Sequence, residues 1–531
     1  MEKIIVEKLV ASFQEERSVE DWIKFTSGET SRSLHLLANI FKPLSASHIY
    51  NLFGVSSSLE KRRAICSVAV FIDAAIADFR DSYTDVADVE LLKQKSAAYL
   101  NEGKSILRNL SLGWFEKGRC VTDEAIVQLP ARIGLAGGKS DLAPFTLEKG
   151  GSVCHMAVTI DGILPISASA AKIGRPVISL VSDDLAVTQE IDEIPHLKET
   201  LGDPLILHKV TLQFFFQHWL KGGFNAGSIN SLLSQWCGVG YGLELRTSVK
   251  IPKGSGLGTS SILFLACLRA LKRLFGCREP ILPLSTSQWP TAISTEELEV
   301  YPGAGICASE FRDEINAVLA MEQMLGTGGG WNDPIGGGLP GFKLTSSEAG
   351  PVPEYSVRRL VLSADRVQAF NDRMLVVYTG QQRRAQVMIF SAVMKWTLRH
   401  TGAEALITRF AAIAKEMYSH MEDFAAHAQH MEGSEQALVD DEVFKKLGDC
   451  LEEVKLGNIR LNPAWSNPHV DRLFNGLAAF VTGSCLIGAG SGGFIIGFLR
   501  SGVDKVDVVE YLKHNFPISE ICDIRMHSPS N

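Results

Sequence analysis

Ile251-Pro252-Lys253-Gly254-Ser255-Gly256-Leu257-Gly258-Thr259-Ser260-Ser261 reads as the end of a strand, a glycine-rich loop and the opening of a helix, predicted over residues 262 to 275. Glycines at alternate positions leave the backbone N–H groups uncovered. A helix N-terminus adds unpaired donors and the positive end of a dipole, so the run predicts an anion site. The phosphates of a nucleotide suit it, with one of the following hydroxyls left over for magnesium. Read alone, the same letters describe equally well a tight turn between a strand and a helix.

Upstream stands Pro130-Ala131-Arg132-Ile133-Gly134-Leu135-Ala136-Gly137-Gly138-Lys139-Ser140-Asp141. Gly138-Lys139-Ser140 resembles the end of a P-loop, but the first glycine of that motif would fall at Ile133, so a P-loop is rejected. The alternative is a strand ending in Arg132, followed by a tight glycine turn that presents Asp141. One carboxylate can accept two hydroxyls, which suits a sugar. Asp141 taken by itself also reads as a cap of a helix or turn.

Downstream, Glu322 is predicted near the end of a helix. Asp333 is predicted on a glycine-bounded turn within Gly328-Gly329-Gly330-Trp331-Asn332-Asp333-Pro334. Magnesium takes hard oxygen ligands and keeps several waters, so Glu322 and Ser260 are its candidates. Asp333 is then free to take a proton from a hydroxyl as a phosphoryl group moves. Arg132 or Lys253 would stabilise charge on the carboxylate and the phosphate. A glycine turn ending in Asp is more often structural when it stands alone; beside the other elements it reads as catalytic. A fourth run, Ile487-Gly488-Ala489-Gly490-Ser491-Gly492-Gly493-Phe494, matches a dinucleotide fingerprint by letter. The residues after it read as a strand and not a helix. It is therefore expected to be a glycine turn that packs against the phosphate loop and approaches substrate.

The 531 residues suggest three or so domains, and 46% hydrophobic residues are enough for a large core. A net charge of −8 with no long basic stretch argues against nucleic acid as a partner. Ten scattered cysteines without CxxC spacing, and a first twenty residues without an apolar leader, point to reduced thiols in a cytoplasmic protein. The uncharged run from 476 to 499 is long enough to span a bilayer, but its glycines favour a strand–loop–strand over a membrane helix.

Residues 1 to about 120 read as helices, notably 64–79 and 89–107, with no catalytic constellation. From Glu124 the texture turns to grouped strands and packed helices, an α+β pattern. Strands are expected over 125–130, 153–160, 164–169, 240–248, 374–378, 484–487 and 493–498. Residues 277–307 read as an irregular proline-rich insertion, and 387–427 as largely helical.

The four elements together resemble the fucokinase branch of the GHMP kinase superfamily, which includes the kinase half of bifunctional fucokinase/GDP-fucose pyrophosphorylases. The resemblance covers about residues 124 to 531. Beyond the runs above it rests on Met374-Leu375-Val376-Val377-Tyr378-Thr379-Gly380 and Ser466-Asn467-Pro468-His469-Val470-Asp471-Arg472-Leu473-Phe474. It implies a two-domain GHMP kinase fold preceded by a helical N-terminal domain, with divisions at 1–122, 123–355 (ATP-binding) and 356–531. It implies phosphorylation of the anomeric hydroxyl of L-fucose by ATP with Mg2+. By the same resemblance Asp333 is the base and Arg132 its electrostatic partner. Asp141, Lys139 and Gly138 line the sugar site. Lys253, Gly254, Ser255, Gly256, Leu257, Gly258, Thr259, Ser260 and Ser261 form the ATP loop, and Ser260 and Glu322 hold the metal. The chain departs from the family pattern at Gly134, at Lys139 (often Trp), at Leu142-Ala143-Pro144 (often Thr-Pro-Pro) and at Cys485 (often Lys). Three of these fall near the expected sugar site and bear on which sugar is taken. Two other readings stay open. One is a heptose-phosphate kinase, with Lys139 meeting the substrate phosphate. The other is a non-catalytic sugar sensor, against which the presence of both Asp333 and Arg132 stands.

Overall fold

The computed structural model describes residues 119–531, apart from 144, 198–202, 217–227, 253–254, 278–291, 295–307, 326, 350–354, 383–387, 390–391, 393–394, 397–401, 428–433 and 529–531. The helices expected over 1–120, most of the proline-rich insertion, and Lys253 and Gly254 lie outside the described residues.

Strand β1 (Glu124–Leu129) alternates exposed and buried side chains, the period of a sheet with one wet face. Pro130 follows it, with no N–H to extend a ladder. The chain changes sheets there. β1 pairs with β4 (Ile166–Ile173), whereas β2 (Ala131–Ala136) pairs with β3 (Gly151–Ile160). Arg132 is thus the second residue of β2 and not the last of the strand before it, which corrects the expected strand ending at that residue.

The first sheet has the order β1-β4-β7-β5-β6, with β5 at Ile178–Ser182, β6 at Val187–Ile191 and β7 at Gly242–Val249. β5 and β7 run parallel; the other pairs are antiparallel. The second sheet is built around β3, buried along most of its length. It adds β8 (Ala292–Ser294), β9 (Phe342–Ser347), β10 (Tyr355–Leu360) and the late strand β15 (Ile524–Met526). Residue 355, where a division was expected, is the first of β10, which pairs with β9; β15 returns from the chain's last residues to pair with β3. The third sheet, β12-β13-β11-β14, joins Val481–Leu486, Phe494–Leu499, Met374–Tyr378 and Glu520–Ile521. The uncharged run 476–499 is therefore mostly two strands and their loop, and no helix among the described residues is long and apolar enough to cross a membrane.

Helices α1 (Ile206–Phe215), α2 (Thr259–Leu274), α3 (Ala308–Leu325), α4 (Asn332–Gly338) and α6 (Ser434–Leu461) border the cavity described below; α5 (Ala403–His427) and α7 (Pro468–Leu477) lie outside its lining. α2 packs on β1 and β4, α5 on β3 and α6 on β12. α2 is buried along most of its length, and its apolar residues join the main core. It starts at Thr259, three residues before the predicted start. Gly258 takes a left-handed conformation (φ 77°), so the backbone turns into the helix before the three hydroxyl residues and not after them.

Two buried cations on α2, Arg269 and Lys272, donate to Glu314 on α3 at 2.9 and 2.7 Å. At their other ends Ser261 and Glu322 meet. Each pair of contacts is separated by eight residues on either helix, in opposite senses. The helices are therefore antiparallel and pinned at two points about 12 Å apart. Another close approach brings α6 to β12. A Cβ on Gly483 would lie 2.0 Å from the carbonyl oxygen of Gly448, so the helix meets the strand backbone to backbone. This presents Val454 and Asn458 to the same cavity that Leu486 borders.

Candidate active site

Arg132 is 4% exposed and reaches two distant segments at once. Its Nε donates to Asp333 Oδ1 at 2.8 Å, and one terminal nitrogen donates to the same oxygen. The other terminal nitrogen donates to Gly256 O at 2.9 Å, and the Arg132 N–H donates to Leu257 O at 3.1 Å. One guanidinium thus ties a carboxylate to the glycine loop, as its fork of donors allows. Asp333 sits in the first turn of α4, not on an open turn as expected. The preceding Trp331 is fully buried, and its Nε1 donates to Thr146 Oγ1 at 3.0 Å, which anchors that helix start. The Asp333 side chain keeps 25% of its surface exposed, against 5% for Arg132.

Asp141 lies beside this pair. Its Oδ1 accepts from Lys139 N at 2.9 Å and its Oδ2 from Asn332 N at 3.4 Å. A Cβ on Gly330 would fall 2.1 Å from Oδ2, so that glycine makes room for the carboxylate. Burial pushes the Asp141 pKa up to about 6; the neighbouring Asp333 charge adds to the rise and Arg132 opposes it. The turn that holds Asp141 is tight. Lys139 has φ 79°, a left-handed conformation that costs an ordinary residue energy. Ser140 Oγ closes the turn by donating to Gly137 O at 2.6 Å and accepting from Ser152 N at 3.1 Å.

In the glycine loop, Leu257 is fully buried and turns its side chain into the core, while Ser255, Gly256, Gly258, Thr259, Ser260 and Ser261 line the cavity. Glu322 is 2% exposed. Ser261 Oγ donates to its Oε1 at 2.6 Å, and Thr327 Oγ1 donates to its Oε2. Burial raises the Glu322 pKa, and those two hydroxyls oppose the rise. The sequence paired Ser260 with Glu322, but the hydrogen bond is made by Ser261. Ser260 Oγ lies near enough to favour the charged form of Glu322, yet it is shielded from solvent without a hydrogen-bond partner of ordinary geometry. An orphaned hydroxyl beside a carboxylate, on the wall of a cavity, is an oxygen donor set that fits a small hard cation. Among the described residues no group of three or more His, Cys, Asp or Glu is placed to hold a metal, so such an ion would rely on a ligand for further oxygens.

These groups share one cavity of about 390 Å3. It gathers Arg132, Gly138, Lys139, Asp141, Glu322 and Asp333 from four separate segments, together with the loop residues named above. Gly488 and Ala489 also border it. The glycine turn that contains them is followed by strand β13, as the sequence reading required for a turn that is not a dinucleotide site. Gly490 lies against Trp465, where a Cβ would sit 2.0 Å from Cδ1, and Ser491 N donates to Trp465 O at 2.6 Å. The turn therefore rests on Trp465, and its Gly488 and Ala489 share the cavity with the glycine loop.

Asn332, Ser261 and Thr327 were missed as partners within the site. Asn332 stands inside the glycine-rich run that drew attention to Asp333 and Thr327 directly before it, and that was their only signal. His208 on α1, which also borders the cavity, carried none.

Residues 226–289 match the GHMP kinases N terminal domain, a span that takes in β7, the glycine loop and α2. The chain is 31% identical over 370 residues to a bifunctional fucokinase/GDP-fucose pyrophosphorylase from Arabidopsis thaliana, covering 69% of this chain and 29% of that protein. It is 28% identical over 391 residues to an L-fucokinase/L-fucose-1-P guanylyltransferase from Bacteroides fragilis, covering 73% and 36%. The chain thus spans about a third of the length of these relatives. A crystal structure of the Lin0012 protein from Listeria innocua superposes with a TM-score of 0.50 at 14% identity, over 75% of this chain and 96% of that one, a likeness of fold. The glycine loop thus lies inside the span that matches the GHMP kinases N terminal domain, and the chain is similar in sequence to the bifunctional fucokinases.

Proposed function

We propose that this chain is an ATP-dependent sugar-1-kinase that converts L-fucose and ATP to L-fucose 1-phosphate and ADP. The observation that carries the reading is the Arg132 fork, which joins Asp333 to the glycine loop while Asp141 stands alongside. Residues 123–355 would form the ATP-binding part and 356–531 the second part, with 1–122 a helical region before them. Asp333 takes the proton of the anomeric hydroxyl. That oxygen forms a bond to the γ-phosphorus as the bond from phosphorus to the β–γ bridging oxygen breaks, and the bridging oxygen leaves on ADP. Arg132 balances the charge on Asp333 and on the moving phosphoryl group. The N–H groups at the start of α2 receive phosphate oxygens, and Lys253 and Gly254 belong to the same loop. Ser260 and Glu322 would hold a magnesium ion, which when bound neutralises phosphate charge. Asp141 accepts sugar hydroxyls, with Lys139 and Gly138 beside it. Lys139 is close enough to Cys485 to act against the burial-driven rise of that thiol's pKa to about 12. The departures at 139 and 485 are therefore near each other, and a cation is retained in that part of the site.

The test is ATP consumption with Mg2+ across L-fucose, D-arabinose, D-galactose and a heptose 7-phosphate, with the product located by phosphorus NMR. L-Fucose 1-phosphate is the expected product. Turnover confined to the phosphosugar would replace the reading with a heptose-phosphate kinase, and tight binding of sugar and ATP without turnover would replace it with a sensor.

Asp141 supplies a pH prediction. An ionised carboxylate accepts two hydroxyls; a protonated one gives up part of that capacity. The kcat/KM for the sugar should therefore fall as pH drops through about 6, where an ordinary carboxylate at 3.8 would still be charged. Stability runs the other way. The folded carboxyl holds its proton more tightly than the unfolded one, so stability declines as pH rises from 3.8 to about 6 and the penalty is complete above that. Asp141→Asn should lose sugar affinity yet gain up to about 3 kcal/mol of stability at pH 7.5, less whatever its own hydrogen bonds fail to match. Thermal melts of both proteins at pH 4 and 7.5 check the sign; a gain confined to low pH would contradict it.

A further inference from the structure

Two cysteines far apart in sequence meet beside the first sheet, and neither borders the cavity. Cys120 lies just before β1 and is half-buried. Cys237 ends the helix Ile229–Trp236 and is 3% exposed. The Cys120 N–H donates to Trp236 O at 3.0 Å. That bond keeps the α-carbons of residues 120 and 237 within about 7 Å of each other, the outer reach of a disulfide. The side chains close the gap, since the Cys237 thiol donates a hydrogen bond to the Cys120 sulfur. The backbone after Cys120 is fixed as well. Val121 N–H donates to Leu274 O at 2.9 Å, and Lys172 N–H donates to Asp123 O at 2.8 Å.

The reactive form of a cysteine is its thiolate. The bond from Cys237 draws the Cys120 pKa below its ordinary value; burial opposes this and Lys172 assists it. The same bond, with burial, raises the pKa of Cys237. Burial also raises the thiols of Cys154, Cys267, Cys450, Cys485 and Cys522. Cys120 is therefore a reachable sulfur with thiolate character and a second thiol already in contact. We propose that Cys120 and Cys237 form a reversible disulfide when the chain meets a hydroperoxide, with Cys120 the attacking residue and Cys237 the resolving one. The inference does not depend on the kinase reading. The Cys120 sulfur bonds to one peroxide oxygen as the O–O bond breaks. The other oxygen leaves as hydroxide and recovers, as water, the proton that Cys120 had given up. Cys120 is now a sulfenic acid. The Cys237 sulfur attacks it, the S–S bond forms, the S–O bond breaks, and hydroxide leaves with the Cys237 proton as a second water. The two thiols lose two electrons and the peroxide gains them. A small dithiol reverses the bond by exchange. The disulfide would tie the approach to β1 to the approach to β7, two strands of the first sheet that have β4 between them.

The test uses the full chain, first reduced, then treated with hydrogen peroxide, alkylated, digested without reductant and read by mass spectrometry. The expected product is a linked pair of peptides carrying Cys120 and Cys237, which dithiothreitol separates. Before oxidation, a small alkylating reagent should label Cys120 about tenfold faster than Cys522, which is also half-buried. In Cys237→Ser the resolving thiol is gone, so Cys120 should stop at the sulfenic acid and take up dimedone. In Cys120→Ser the linked pair should be absent and Cys237 should take up no dimedone. Peroxide that leaves Cys120 and Cys237 unlinked in the wild-type chain overturns the proposal, as does a link from Cys120 to any other cysteine. Dimedone on Cys237 in the Cys120→Ser protein, or labelling of Cys120 no faster than Cys522, overturns the assignment of Cys120 as the attacking residue. If a serine variant does not fold, the wild-type peptides alone decide.

Discussion

Asp333→Asn is expected to lower kcat by about 10^3-fold or more while ATP affinity stays within about threefold of wild type. Asn keeps the size of Asp and an oxygen for the Arg132 donors, so the link from that guanidinium to the glycine loop survives. What it lacks is a group that can take a proton from the sugar hydroxyl. The loss should appear in kcat, with the KM for ATP little changed. Asp333→Ala should be as inactive, but it also leaves the buried donors of Arg132 without their carboxylate, so the Asn variant is the cleaner test. Steady-state kinetics with nucleotide binding measured separately would show the split. Wild-type turnover in either variant would remove Asp333 from the role of base and leave the Arg132–Asp333 pair as a structural clamp.

Arg132→Met should be at least as damaging and damaging in a different way. Its loss strips Asp333 Oδ1 of two donors and Gly256 O of one. The carbonyl left inside the loop and the partly buried carboxylate should cost about 1–3 kcal/mol of stability. On the kinase reading the transition state loses a fixed cation, and kcat/KM should fall about 10^3-fold. Unlike Asp333→Asn, this variant should also weaken ATP binding, because the loop loses the side-chain tie at Gly256 O and keeps the backbone bond from Arg132 N–H to Leu257 O. Arg132→Lys should recover little, since one ammonium cannot reproduce a fork aimed at two segments. Thermal denaturation and nucleotide binding on the same preparation would separate the effects. Unchanged ATP affinity would mean that the loop holds its shape without the Arg132 bond to Gly256.

The elements most legible in the sequence were those written into a short run of residues. The glycines before Thr259 mark a turn because only they take left-handed conformations freely, and Gly256 and Gly258 do so at φ 89° and 77°. Strand 374–378 was legible to the residue, since five apolar residues bounded by helix and glycine leave few alternatives. The start of α2 was misplaced by three residues because serine and threonine serve as well before a helix as in its first turn.

Asp141, Glu322, Asp333, Arg132 and the described part of the glycine loop could be picked from sequence as candidates, because each stands in or beside a glycine-rich turn or loop, and all but Leu257 border one cavity. Which groups bond to which was another matter. Ser260 and Ser261 are equivalent as letters; the antiparallel seating of α2 on α3 brings the second to Glu322. The change of sheet at Pro130 depends on where β3 and β4 lie, and no local pattern carries that. His208 reads as one histidine in an apolar helix until the fold brings its ring to Val181 O and Thr247 Oγ1. Local backbone preference and residue chemistry, which act over a few positions, let the sequence determine the loop, several strands and the candidate list. The pairing of Arg132 with a residue 201 positions away was decided by tertiary structure alone, because a hydrogen bond depends on distance in space, which packing sets and sequence separation does not.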